Sequence, residues 1–95
     1  MIDVYIVYND PMFPEKIKSI SVNNTPYLHF LDEQSKWDKK EAFQLKSEWG
    51  AKLSPFVIIY EEDIPKKAFY SEADDVLECL TNYLKEYDNR CISNL

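Results

Sequence analysis

Ile2 to Tyr8 alternates apolar with mixed positions and is rich in β-branched and aromatic residues, which predicts a first strand ending at Asn9-Asp10-Pro11. Pro14-Glu15-Lys16 opens a short helix through Ile20, with proline in its first turn, before Asn23-Asn24 breaks the pattern. Pro26 to Leu31 reads as a second strand. Asp38 is then the expected N-cap of a helix from Lys39 to Trp49, with Glu41 as its capping-box partner. Trp37 stands where a hydrophobic staple would sit, with an outward contact as the other reading. Ala42, Leu45 and Trp49 fall on one face of this helix, and Gly50, the chain's one glycine, is placed as a left-handed cap.

Phe56 to Tyr60 is a continuous apolar run, too short for an ordinary helix, and fits a central strand covered on both sides. Glu61-Glu62-Asp63 makes a polar turn, and Lys67 to Ser71 resumes as an antiparallel edge strand guarded by Pro65 and the neighbouring lysines. From Asp74 the stripe Val76, Leu77, Leu80, Tyr83, Leu84 and Tyr87 predicts an amphipathic helix. The remainder, 88–95, has no periodic signal and is expected to be a loose tail, although Cys91 and Ile92 can reach the core. The order is an α/β arrangement, β-α-β-α-β-β-α, with a four-stranded mixed sheet and helices on both faces. Its two βα crossovers imply parallel strands and its closing hairpin an antiparallel edge.

Ninety-five residues, 45% of them hydrophobic, suffice for one domain with one core. A net charge of -6 argues against nucleic acid, whose binders cluster Lys and Arg. The carboxylates are interleaved with Lys39, Lys40, Lys66 and Lys67, which also argues against a mimic of nucleic acid. No segment approaches the ~18 apolar residues of a membrane span, and no basic-then-apolar leader opens the sequence. With two distant cysteines, these features set the expectation of a cytoplasmic protein that uses no membrane.

Candidate chemistry is sparse. Cys79 is expected to be a small buried apolar residue on the last helix, and Cys91 a more exposed thiol. His29 has no second ligand at metal spacing, so neither a metal nor any other cofactor is expected. Glu61-Glu62-Asp63 reads as a solvated turn and Asp74-Asp75 as helix capping. One glycine leaves no phosphate-cradling loop.

Trp49-Gly50-Ala51-Lys52-Leu53-Ser54-Pro55-Phe56-Val57-Ile58-Ile59-Tyr60 resembles the segment of thioredoxins and glutaredoxins in which an aromatic-Gly pair ends a helix and Ser/Thr/Val-Pro precedes a buried strand. Tyr8-Asn9-Asp10-Pro11-Met12-Phe13-Pro14-Glu15-Lys16 is similar to the glutaredoxin loop Y-S/T-K-P-x-C-P-x-C. The resemblance implies a thioredoxin-like fold, a cis peptide at Pro55, and Phe13 and Lys16 in place of the two redox cysteines. It also implies that the backbone of Ser54 is offered to an extended substrate segment. The expected function is therefore a redox-inactive module that binds a protein partner through Met12, Phe13, Lys16, Ser54 and Pro55. Met12 and Phe13 project outward on that reading, or fold inward to fill the cysteine site on the other. A thiol enzyme using Cys79 or Cys91, and a structural oligomer subunit, are the alternatives.

Overall fold

Seven elements form among the described residues: β1 (Ile2–Tyr8), α1 (Phe13–Lys18), β2 (Tyr27–Asp32), α2 (Lys39–Trp49), β3 (Phe56–Glu61), β4 (Ile64–Tyr70) and α3 (Ala73–Ser93). The computed structural model describes residues 1–93. The sheet order is β2-β1-β3-β4. β1 and β2 are parallel, with Ile6 opposite Phe30; β3 is antiparallel to β1, with Ile6 opposite Val57. β4 returns antiparallel to β3.

Only the first crossover joins parallel strands, contrary to the expectation for both. β2 leaves the sheet beside the end of β1, and β3 enters at that same end, where Phe56 faces Val7. The connection through α2 thus starts and finishes at one end of the sheet. Gly50 makes the reversal: its φ of 66° is the left-handed region that glycine enters without steric cost, and the N–H of Ala51 closes on the carbonyl of Lys46 at 2.8 Å.

Two apolar clusters follow from strand alternation. Val4, Ile6, Val57 and Ile59 pack on one side with Phe13 and Ile17 of α1 and Val76, Leu80 and Leu84 of α3. Val7, Leu31, Phe56 and Ile58 pack on the other side with Ala42 of α2 and with Ala51. The β3–β4 turn places Glu62 and Asp63 at φ 51° and 66°, the left-handed pair of a two-residue hairpin turn.

Three local expectations are corrected. Asp38 does not cap α2 through its side chain; its carboxylate accepts the N–H of Asp32 at 3.2 Å, so the capping box with Glu41 does not form. Trp37 is 81% exposed and is no staple; the ammonium of Lys36 lies 5.1 Å from its ring centroid. The segment after Tyr87 is helix as far as Ser93, and residues 94–95 of the expected tail lie outside the described residues. Asp88 explains the extension. It continues the buried row Val76, Leu80 and Leu84, and its carboxylate accepts the N–H groups of Asn23 and Asn24 at 2.8 and 2.9 Å and the Asn24 side-chain amide at 2.8 Å.

A second polar tie joins α3 to the hairpin. The Tyr83 hydroxyl donates to the carboxylate of Glu61, which Arg90 also meets at 3.0 Å. Burial first, and then the bond to Glu61 and its charge, push the Tyr83 hydroxyl from 10.0 up to about 12. The unfolded chain therefore releases this proton before the folded one does. The contribution is complete below the ordinary value and is lost as pH rises toward the folded value. Thermal melts between about pH 9 and about pH 11.5 should fall more steeply for the wild-type chain than for Tyr83→Phe.

Candidate functional site at the cis-proline end

Strand register gathers four connections at one end of the sheet. Tyr8 lies opposite Asp32, Val7 opposite Phe56, and Phe56 opposite Tyr70. The loop after β1, the segment after β2, the approach to β3 and the start of α3 therefore meet there. The N–H of Glu33 ties two of them by donating to the carbonyl of Tyr8 at 2.9 Å.

The loop after β1 separates Met12 from Phe13. The Asp10 carboxylate accepts the Met12 N–H at 3.0 Å, and the Asp10 carbonyl accepts the Phe13 N–H at 3.0 Å. This tight turn sends the two side chains in opposite directions: Met12 is 62% exposed, and Phe13 is buried in the core at 1%. The expectation of an outward pair holds for Met12 and fails for Phe13, whose ring has hydrophobic partners under α3 and gains more by leaving water. Lys16, exposed one turn on, holds its ammonium 4.0 Å from the carboxylate of Asp74 at the start of α3. A buried ring and a paired ammonium offer no thiolate.

The Ser54–Pro55 peptide is cis. Pro55 is buried and Ser54 half-buried. The Ser54 hydroxyl donates to the carboxylate of Glu33 and accepts from the ammonium of Lys46 at 2.9 Å. Lys46 also reaches Glu33 at 3.0 Å. Sequence reasoning missed Glu33 and Lys46 because they come from separate elements, 21 and 8 residues from Ser54 along the chain, with no motif spacing. Lys46 donates to both the serine oxygen and Glu33, and so orients the serine side chain. The cluster holds the Ser54 side chain through both of its hydrogen bonds, to Glu33 and from Lys46. Among the described residues, neither the N–H nor the C=O of Ser54 has a hydrogen-bond partner.

Cys79 is exposed, not buried as expected. It borders a cavity of about 440 Å³ between β4 and α3, with Tyr70, Ser71 and Asp75. Cys91, expected to be the more exposed thiol, is half-buried, twelve residues on along the same helix, which is about 18 Å of rise and far beyond disulfide reach. His29 lies midway along the edge strand β2, opposite Tyr5; its ring stacks on Tyr5 at 4.3 Å and bonds Asp3 at 3.0 Å. It takes no part in the cis-proline end. Among the described residues no helix is long and apolar enough to cross a membrane.

Solved structures with the same arrangement decide what the fold is. Thioredoxin O2 from Arabidopsis thaliana, in its oxidized state, superposes with a TM-score of 0.62 at 10% identity, covering 90% of this chain and 76% of that one. The chain has a thioredoxin-like fold. A mutant thioredoxin from Halobacterium salinarum gives a TM-score of 0.57 at 12% identity, covering 87% of this chain and 74% of that chain. Thioredoxin 1 from the thermophilic eubacterium Thermosipho africanus gives 0.56 at 21% identity over 98% and 99% of the two chains. No family model matches the sequence, and no curated protein matches it. At these identities the likeness is one of fold. Within a thioredoxin-like sheet, the proline that precedes β3 is the residue the sequence resemblance marks, and it is cis as that resemblance implies.

Proposed function

We propose that this thioredoxin-like chain is a redox-inactive binding module that takes an extended polypeptide segment beside Ser54. The observation that carries the proposal is the N–H and C=O of Ser54, unpaired among the described residues, at the end of the sheet where Phe13 stands at the position the resemblance assigns to the nucleophilic cysteine. A residue before proline is held in the extended region, where its N–H and C=O point the same way and can pair with one residue of an added strand. Met12, at 62% exposure, and Leu53, at 55%, are apolar side chains from the two loops of that end and would take alternate side chains of the segment. Pro55 is buried at the start of β3, Lys16 is paired with Asp74 at the start of α3, and Phe13, buried in the core, anchors the loop that carries Met12.

A display library of unstructured peptides, panned against the full chain, should yield binders that lose at least about tenfold in affinity on Met12→Asp and keep it on Trp37→Ala. Binders indifferent to Met12→Asp would place recognition elsewhere. The same chain should not accelerate reduction of insulin disulfides by dithiothreitol.

One observation favours a second reading. Cys79 is an exposed thiol that lines a cavity together with Tyr70 and Ser71. A thiol activity resting on it would give insulin reduction that disappears in Cys79→Ser, and that result would displace the binding-module proposal.

A further inference from the structure

The outer stripe of α2 borders a cavity of about 310 Å³ that neither the cis-proline backbone nor the fold accounts for. Its floor is Ala42 and Ala51, both buried, and its rim carries Phe43, which is 73% exposed. An aromatic ring left in water beside a recess is available area for a ligand, and the volume lies at the small end of the ~300–1,000 Å³ range of small-molecule sites. Charge narrows the ligand class. Lys46 and Glu33 line the cavity but neutralise one another at 3.0 Å. Lys39 also lines it and has no ion pair among the described residues.

We infer that this cavity binds a small amphiphilic carboxylate, with its apolar body on Ala42, Phe43 and Ala51 and its carboxylate on Lys39. A cation unpaired among the described residues, over mostly apolar walls, matches a single negative charge on an apolar group. A dianion such as phosphate would meet the same lone cation with the Glu33 carboxylate nearby, and would leave the apolar walls uncovered. The local positive charge also stands out against the chain's net -6, which repels anions elsewhere. This site is separate from the Ser54 backbone, although Lys46 and Glu33 form a wall common to both.

Titration of the full chain with 4-phenylbutyrate, followed by amide chemical shifts, tests the inference. The Ala42, Phe43 and Ala51 amides should shift saturably with a Kd of roughly 1 mM, a typical affinity for a ligand of this size. 4-Phenylbutanol, with the same body and no charge, should bind about tenfold more weakly. Lys39→Met should bring the acid down to the affinity of the alcohol, and Phe43→Ala should weaken both; both side chains are exposed, so neither change threatens the fold. The inference is overturned by the absence of saturable shifts at these three amides or by equal binding of acid and alcohol. Unchanged acid affinity in Lys39→Met, or displacement of the acid by inorganic phosphate, would overturn it equally.

Discussion

Replacing Phe13 by alanine is expected to cost about 3–5 kcal/mol, because a fully buried aromatic ring is lost and the surrounding side chains close only part of the hole. Domains of this size hold roughly 5–15 kcal/mol in total, so the variant should unfold at much lower urea with an unchanged m-value. Phe13→Asp should not fold, since a carboxylate would replace the ring among Ile17, Val76 and Leu80. Met12→Asp, one residue earlier, should change stability by no more than about 0.5 kcal/mol. Urea denaturation of the three variants measures the contrast. Equal, small effects at both positions would show that Phe13 faces solvent. The contrast has a practical consequence: loss of binding in a Phe13 variant reports loss of the fold, and Met12 is the position at which the surface can be tested.

The second large effect belongs to Asp88. Its two carboxylate oxygens accept three N–H donors from Asn23 and Asn24, pinning the α1–β2 connection to α3. Asp88→Ala leaves two backbone N–H groups without their acceptor and should lower Tm by roughly 5–10 °C at neutral pH. Asp88→Asn should do almost as badly, because its amide presents donors where two acceptors are needed. The Asn24 side-chain bond first, and then the backbone bonds from Asn23 and Asn24, hold the Asp88 carboxyl below its ordinary value of 3.8. Its contribution is therefore complete above that ordinary value and fades as pH falls through the lower folded one. Melts of wild type and Asp88→Asn should converge as the solution is acidified below about pH 4. A gap that stays constant with pH would mean that the carboxylate charge plays no part.

These two positions also mark where the sequence is and is not legible. β1, β3 and α2 announce themselves through local patterns: alternation in Ile2–Tyr8, a continuous run in Phe56–Tyr60, and Gly50 closing a helix. Each is decided by neighbours in the chain, so the pattern suffices. Asp88 is decided by Asn23 and Asn24, 65 and 64 residues away, and a buried carboxylate on an apolar row looks like the end of a helix until its donors are known. The direction of Phe13 depends on whether α3 leaves room beneath α1, which no local pattern states. Cys79 follows buried Val76 by three residues, yet the packing of α3 on β4 stops short of it and leaves a cavity. The Glu33–Lys46–Ser54 cluster joins three separate segments and has no spacing to find. The Ser-Pro step was legible through resemblance; the hydrogen bonds that hold its serine side chain were not.

Amide hydrogen exchange at Ser54 tests the binding-module proposal most directly. With a selected peptide at saturation, exchange of the Ser54 N–H should slow by about tenfold or more, with no mixed disulfide formed by Cys79 or Cys91. Unchanged exchange at Ser54 in a peptide complex would contradict the proposal.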